Sequence, residues 1–126
     1  MTGMQVIEDG RITDSASIVP ISHVDDVTAS RAIDGTVYTN TTGRTIYLFV
    51  SIVLGILAIG DYAQINIYVN SLNKGGVRVQ PIGGASPIGY FGHIIPQAVP
   101  PGATYRFVTA VTGTGTVTKN IWTESY

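Results

Sequence analysis

Aliphatic residues recur with a period of two through residues 46–54, near the middle of the chain. One set of alternate positions is wholly aliphatic: Ile46, Leu48, Val50, Ile52 and Leu54. The other set is aromatic and mixed: Tyr47, Phe49, Ser51 and Val53. Successive side chains of a strand point to opposite faces, so this pattern predicts a β-strand with two apolar faces. One face suits the core of the domain. We expect the other to form a subunit interface through Tyr47, Phe49 and Val53.

The same region continues as an apolar run to residue 60, in which Ser51 is the only polar side chain. A helix needs ~20 such residues to cross a bilayer, and this run is shorter. Gly55 and Gly60 weaken it as a helix, and its β-branched residues favour a strand. The first residues contain no basic leader followed by an apolar stretch, so we expect no secretory signal and no membrane insertion.

Further strands follow from the same kind of pattern. Residues 61–69 alternate strictly, with Ala63, Ile65, Ile67 and Val69 on one face. A short β-prone run at 36–39 precedes a turn at 40–43. Residues 70–76 predict a hairpin loop, and a Pro-Pro-Gly turn at 100–102 precedes strands near 104–111 and 117–125. Six to eight short strands predict an all-β fold, an antiparallel β-sandwich or jelly roll.

Residues 81–96 contain four glycines and three prolines, a composition that favours a long loop over a strand. Tyr90, Phe91 and His93 fall in this segment. Exposed, they would form a contact patch for a partner protein or a glycan. Buried, Tyr90 and Phe91 would close one end of the sandwich.

Residues 1–28 form a different region, which we interpret as an extended N-terminal arm before a sandwich domain at 29–126. Neither helical nor strand periodicity persists there. A polar chain end is one interpretation; the other is an arm that lies on a neighbouring subunit. The second is favoured by apolar residues spaced along the segment: Val6, Ile12, Ile18, Val19, Ile21 and Val24.

Charge and cysteine content exclude several classes of function. Seven Lys or Arg residues stand against eight Asp or Glu, without the basic excess that phosphate neutralisation requires, so we expect no nucleic-acid partner. The chain has no cysteine, which excludes disulfides, zinc–thiolate sites and thiol catalysis.

Catalytic and metal-binding patterns are also missing, so we expect no enzymatic activity, no metal and no cofactor. No GxSxG-type motif accompanies His23 and His93. The sequence HVDD at 23–26 offers one imidazole and two carboxylates but no second cluster to complete a metal site. The two glutamates, Glu8 and Glu124, lie near opposite ends of the chain, which does not favour a glycosidase pair.

Three short motifs carry a resemblance: VTASRA at 27–32, VYTNTTGR at 37–44 and VPPGATY at 99–105. In this order they resemble a module found at the distal end of tail fibres and in small virion proteins of tailed bacteriophages. The resemblance implies a β-sandwich module, usually trimeric, with a structural or attachment role. It also implies that Gly43 and Gly102 permit turns, and that Tyr38 and Tyr105 pack beside them.

Only a short arm precedes the matched segments, which favours a free-standing module over a fibre tip with its shaft. The first hypothesis is therefore a homotrimeric capsid decoration (cement) protein on the exterior of the virion. Its arm would contact the major capsid protein through apolar side chains: Val6, Ile12, Ile18, Val19 and Ile21. The alternative is a tail-fibre or tail-tip module that contacts tail proteins and binds a host surface receptor through Tyr90, Phe91 and His93. A β domain unrelated to viruses is the third possibility, since fold alone does not fix function.

Overall fold

The computed structural model describes residues 20–83 and 88–126, which form two four-stranded antiparallel sheets. Sheet A consists, in spatial order, of β1 (Val24–Asp26), β8 (Thr116–Ser125), β3 (Ile46–Ile56) and β6 (Gly89–Val99). Sheet B consists of β2 (Tyr38–Thr39), β7 (Thr104–Val111), β4 (Ala63–Val69) and β5 (Leu72–Val79). The one helical element of the described ranges is a 3₁₀ turn at Thr28–Ser30.

The strand order is that of a jelly roll. β1 pairs with β8, β2 with β7, β3 with β6 and β4 with β5, so the chain folds as one long hairpin wrapped into two sheets. The remaining ladders, β3 with β8 and β4 with β7, complete the two sheets. The eight-stranded jelly roll is a recognised double-sheet architecture. The prediction of an all-β antiparallel sandwich is confirmed.

The core lies between the sheets and is built from the aliphatic sets that the sequence pattern predicted. All five inward residues of β3 from Ile46 to Leu54 are buried, as are the four of β4 from Ala63 to Val69. Aromatic side chains from the last two strands fill the space opposite them: Tyr105, Phe107 and Trp122. The period of two therefore identified the core face of both strands.

The prediction of a loop over residues 81–96 is wrong for its second half. β6 begins at Gly89 and pairs with β3 in continuous register from Gly89 opposite Ile56 to Val99 opposite Ile46. The strand contains Pro96, opposite Phe49, which is tolerated because β6 is the edge of sheet A and needs hydrogen bonds on one side only. The segment forms a strand because it lies at the edge of the sheet, a position that amino-acid composition does not reveal.

The predicted hairpin loop at 70–76 is also shorter than expected. Asn70 and Ser71, with φ of 51° and 66°, form a two-residue turn, and β5 begins at Leu72. Two adjacent positive φ values are those of a type I′ turn, which matches the twist of the strands it joins.

The predicted arm divides into two parts. Residues 1–19, with Val6, Ile12, Ile18 and Val19, lie outside the described residues. Residues 20–28 lie along sheet A, where β1 pairs with β8 and the backbone N–H groups of Ser22 and His23 donate to the carbonyl of Tyr126. The structure thus places the end of the predicted arm on the sandwich.

Candidate functional site: the outer face of sheet A

The outer face of sheet A is a surface of aromatic, aliphatic and small polar side chains, which we call the apolar face. It comprises the residues that alternate with the buried set along β3 and their cross-strand neighbours on β6 and β8. They include Tyr47, Phe49, Ser51, Val53, Tyr90, Ile94, Pro96, Ala98, Ile121 and Thr123. Its large apolar side chains are well exposed, with Tyr90 at 69%, Ile94 at 67% and Phe49 at 51%.

The register brings the apolar side chains together at the centre of this face. Phe49 lies opposite Pro96 on one side and Thr123 on the other. One step along, Ser51 lies between Ile94 and Ile121. Directly opposite residues have Cβ atoms about 5 Å apart, so these side chains form a continuous patch across three strands.

A shallow depression of about 250 Å³ lies on this patch, bounded by Tyr47, Phe49 and Pro96. A depression lined by two aromatic rings and a proline can receive an apolar side chain from a partner, which is how interface anchors are seated.

Charge is almost absent from the apolar face. Among the outward-facing residues of the four strands of sheet A, one is charged at neutral pH. This residue is Asp26 on β1, which lies opposite Thr123. Hydrogen bonds from the Thr28 hydroxyl and backbone N–H hold the pKa of this carboxyl below its usual value. Asp26 lies on the far edge, so the patch around Phe49 is uncharged.

A glycine fixes one aromatic ring at the end of the face. Tyr90 lies opposite Gly55, and a Cβ placed on Gly55 would be 2.8 Å from the Tyr90 ring and would also collide with the Thr116 hydroxyl. The absence of a side chain at residue 55 therefore lets the Tyr90 ring lie across β3.

The structure separates the predicted contact residues into two groups. Tyr47, Phe49 and Val53, predicted as a subunit interface, lie on the apolar face. Tyr90 joins them there. Phe91 and His93 alternate with it and lie opposite the buried Leu54 and Ile52, so they point to the side of sheet B. The three residues of the predicted receptor patch therefore do not share one face.

The motifs VYTNTTGR and VPPGATY meet at the buried side chain of Asn40. Its amide donates to the carbonyls of Arg44 (2.7 Å), Val99 (2.9 Å) and Pro100 (3.1 Å). Its carbonyl oxygen accepts from the backbone N–H and the hydroxyl of Thr42. With every hydrogen-bonding position of its side chain used, Asn40 joins the two turns into one unit.

Glu124 is the centre of a buried hydrogen-bond network that the sequence did not reveal. It is buried and accepts two hydrogen bonds from the Arg31 guanidinium at 3.1 Å, one from the Tyr105 hydroxyl at 2.8 Å and one from the Trp122 indole at 3.1 Å. Burial and then the hydrogen bond to Glu124 raise the pKa of the Tyr105 phenol well above its ordinary value. The sequence contained one signal for the burial of Glu124: it lies two residues after Trp122, so both side chains share one face of the strand.

This carboxylate joins elements that are distant in the chain. Arg31 belongs to the VTASRA motif, Tyr105 to VPPGATY and Glu124 to the final strand. The Tyr38 hydroxyl accepts a 2.7 Å hydrogen bond from the backbone of Ala32, and the Tyr38 ring lies under the Arg31 guanidinium. All three motifs therefore contribute to one network that closes the β1–β2 side of the sandwich.

The structure shows how several histidine and carboxylate side chains are placed in the described ranges. Within residues 20–83 and 88–126, no three His, Asp or Glu side chains come close enough to hold a metal ion. His23 stacks on the ring of Tyr126 at 4.8 Å, and the oxygens of Glu124 are taken up by neighbouring donors. Nor does this part of the chain contain a helix long and apolar enough to span a membrane.

No protein-family model matches the chain, and a search of curated proteins finds no match. The apolar face and the network beneath it are therefore the features from which a function is inferred.

Proposed function

We propose that the protein is a non-enzymatic structural protein of a bacteriophage virion, a trimeric decoration (cement) protein on the capsid exterior that stabilises the head. The observation that carries this proposal is the uncharged apolar face. The resemblance of the three motifs to phage virion modules supplies the biological setting, and the jelly roll is a fold that viral capsid proteins use.

The size of the apolar face suits a specific protein interface. Three long strands spaced ~4.8 Å apart, with ~3.4 Å per residue over ten or eleven residues, span on the order of 500 Å² in projection. Side-chain relief adds to this area, and standard interfaces bury ~800 Å² per partner. Exposed apolar patches of several hundred Å² are often functional surfaces in proteins.

In a trimer with threefold symmetry, the two halves of the apolar face would contact different neighbouring subunits. In a ring of three subunits, each contact is between two different patches, because the interface is heterologous. The β6 half, with Ile94 and Pro96, would contact the β8 half of the next subunit, with Ile121 and Thr123. Tyr47, Phe49 and Val53 lie on the strand between these halves and would contact both neighbours.

The arm provides attachment to the major capsid protein in this proposal. Its apolar side chains would contact the shell: Val6, Ile12, Ile18, Val19 and Ile21. Three arms on one trimer act together, so weak single contacts give strong attachment.

Location in a particle tests the proposal directly. Immunogold labelling of purified virus particles from the source of the gene should place the protein over the head, in many copies per particle. Labelling confined to the tail would support the tail-fibre alternative instead, and particles without label would overturn both.

A truncation tests the arm separately. β1 (Val24–Asp26) belongs to sheet A, so the informative deletion removes residues 1–19 and leaves this strand intact. The truncated protein should remain a folded oligomer and lose cosedimentation with capsids. Stoichiometric capsid binding by the truncated protein would contradict the role of the arm.

The alternative, a tail module that binds a host surface receptor, is favoured by the exposure of Tyr90, the most exposed aromatic ring in the described ranges. Tyr90→Ala should then abolish attachment to host cells with little effect on thermal stability. Phe91→Ala is the matched control, because its side chain points to the opposite side of the same strand. Equal loss of attachment in both variants would assign the effect to the strand and not to a Tyr90 contact.

A further inference from the structure

The outer face of sheet B, which we call the arginine-bearing face, differs in composition from the apolar face. Its central row, along β4 and the residue before it, alternates with buried residues and consists of two tyrosines and two side-chain amides. An arginine flanks this row on each side, Arg78 of β5 opposite Gln64 and Arg106 of β7 opposite Tyr68. The six residues that define the face are Tyr62, Gln64, Asn66, Tyr68, Arg78 and Arg106.

The positive charge of this face is not neutralised by acidic side chains. The four strands of sheet B, which all belong to the described residues, contain no Asp or Glu. Asp34 and Asp61 lie in loops that flank the sheet, and the carboxylate of each accepts hydrogen bonds from a threonine hydroxyl and a backbone N–H. In the described part of the chain, neither arginine forms an ion pair. The face therefore complements an anionic ligand.

The two tyrosine rings hold the arginines in place. The Arg78 guanidinium lies over the Tyr62 ring, and the Arg106 guanidinium lies over the Tyr68 ring. A side chain that is already positioned loses less conformational entropy when a ligand binds. Arg78 donates to the side chains of two glutamines, and the Arg106 guanidinium makes no hydrogen bond to the described residues. Both retain N–H donors that can bind a carboxylate through two parallel hydrogen bonds.

A side-chain amide lies between the two arginines. Asn66 is partly buried, and its side chain makes no hydrogen bond to the described residues. Gly76 of β5 lies opposite it, and a Cβ on this glycine would be 2.5 Å from the Asn66 side-chain oxygen. The missing side chain therefore leaves room for the amide at the centre of the face. An amide offers both a donor and an acceptor, which matches the hydroxyl groups of a sugar.

The spacing of the arginines suits a chain and not a single small anion. The residues opposite them, Gln64 and Tyr68, are four positions apart on β4, and the arginines lie on the strands to either side. With ~3.4 Å per residue and ~4.8 Å between strands, the two arginine Cα atoms are on the order of 17 Å apart. Arg78 also leans toward Tyr62, away from Arg106. A polymer that carries a carboxylate on each sugar can reach both guanidinium groups at once.

Two other anionic polymers fit this face less well. Single-stranded nucleic acids bind through bases that stack on open aromatic rings, and both rings of the central row already have a guanidinium over them. An acidic protein segment would need pockets for apolar anchors, whereas the central row presents amides and covered rings. Side-chain amides beside paired cations are what a chain of hydroxyl and carboxylate groups requires.

We propose that the arginine-bearing face binds an acidic polysaccharide, a linear chain whose sugars carry carboxylates. Arg78 and Arg106 each bind one carboxylate, and the amides of Gln64 and Asn66 bind hydroxyl groups between them. The apolar face lies on the other side of the sandwich, so self-association through sheet A leaves this binding face open to solvent. The inference does not depend on the virion role.

A titration followed by NMR tests the proposal on the isotope-labelled full-length protein. The probe is an oligogalacturonate long enough to span the face, and oligomannuronate and oligosialate extend the test to other acidic sugars. The backbone amide signals of Asn66, Arg78 and Arg106 should shift, and those of Phe49 and Ile94 on the apolar face should not. The fully methyl-esterified oligogalacturonate has the same sugars without the charge and should cause no shift.

Three outcomes of the titration would overturn the proposal. The first is that none of the three acidic sugars shifts the signals of the arginine-bearing face. The second is that the esterified oligomer binds as tightly as the acid. The third concerns polyglutamate and oligouridylate, titrated at the same ionic strength: tighter binding of either one than of every acidic sugar would make the partner an acidic peptide or an RNA.

Substitutions separate a specific contact from bulk charge. Arg106→Gln removes one guanidinium and should raise the dissociation constant about tenfold or more, as for the loss of hydrogen bonds to a charged group. Arg44→Gln changes the net charge equally at a distant place, where Arg44 donates to the Ser22 hydroxyl, and is the matched control. Arg78→Gln repeats the comparison at the other end of the face. Equal weakening in the control would contradict a site on sheet B.

A lysine substitution tests the geometry of the contact. Arg106→Lys keeps the charge but cannot form two parallel hydrogen bonds to one carboxylate, so the dissociation constant should rise severalfold. An unchanged dissociation constant would overturn the bidentate contact. Immunogold labelling of particles remains a separate test of the virion role, so each idea can fail alone.

Discussion

The two outer faces of the sandwich carry aromatic residues in similar positions but present different surfaces. On sheet B, the Arg78 guanidinium lies 4.1 Å from the centre of the Tyr62 ring, and that of Arg106 lies 4.8 Å from the centre of the Tyr68 ring. Arg78 also donates to the side-chain carbonyl of Gln64 at 3.3 Å. On sheet A, the rings of the apolar face have no cation over them among the described residues.

The difference shows that aromatic content alone does not make an interface. A guanidinium over a tyrosine ring covers apolar surface and presents charge to water, so sheet B suits a solvated surface. On sheet A, Phe49 lies opposite Pro96 and Thr123, and Tyr90 lies opposite Gly55. Burial against a partner stabilises such a surface, because removing apolar area from water contributes about 25 cal/mol per Å².

The largest expected effect comes from placing a charge on the apolar face. Phe49→Asp should weaken self-association by about 100-fold or more, which corresponds to a central interface residue worth ~2.7 kcal/mol. Because Phe49 is half exposed, the fold should persist, and sedimentation velocity should show a 13.3 kDa monomer. Gln64→Glu on sheet B is the matched control and should leave the assembly intact. If the Phe49→Asp protein still formed a stable oligomer, the apolar face would not be the subunit interface.

A pair of glycine substitutions compares the backbone of the two sheets. A Cβ on Gly76 of β5 would collide with the backbone carbonyl of Ile65, whereas one on Gly55 of β3 would meet side-chain atoms of Tyr90 and Thr116. Side chains move more easily than a backbone ladder. We expect Gly76→Ala to lower the free energy of unfolding by about 2 kcal/mol and Gly55→Ala by about 1 kcal/mol.

Urea unfolding measures both values, and the reverse order would contradict the contacts described. Gly55→Ala carries a second expectation, since it displaces the Tyr90 ring from the apolar face. Its self-association should weaken, while that of a Gly76→Ala protein that still folds should not change.

Removing the cations from sheet B should make its outer face resemble the apolar face. Arg78→Ala combined with Arg106→Ala should lower the unfolding free energy by roughly 1 kcal/mol, the sum of two exposed cation–π contacts. It should also produce new association, detectable by light scattering. The double lysine variant keeps both charges and should remain as soluble as the parent. Aggregation of the lysine variant would show that stacking matters more than charge.

The smallest expected effect is the response to salt. Raising the ionic strength from ~0.05 M to ~0.5 M shortens the screening length from about 14 Å to about 4 Å and weakens contacts between exposed charges. An interface on the uncharged apolar face should keep its dissociation constant by sedimentation equilibrium. A marked weakening with salt would assign the interface to the arginine-bearing face instead.

The alternation of residue types predicted the buried face correctly for strands that have a long neighbour on each side. β3 and β4 lie inside their sheets, and their alternation predicted every buried residue from Ile46 to Leu54 and from Ala63 to Val69. It also placed Tyr47, Phe49 and Val53 together on the opposite face. β6 was not predicted, because its glycines and Pro96 are typical of a loop. A strand tolerates these residues when it lies at the edge of a sheet, and the sequence does not show that position.

The sequence by itself determined the all-β class, the inward faces of the central strands and the turns at Gly43 and Gly102, both with positive φ. These are local properties, since a period of two or a left-handed residue is specified by a few neighbouring side chains. The tertiary structure alone decided the jelly-roll order and the meeting of Arg31 and Tyr105 at Glu124. It also decided which exposed aromatic rings have cations over them. Each of these depends on contacts between segments far apart in the chain, and no local pattern encodes which segments will pair.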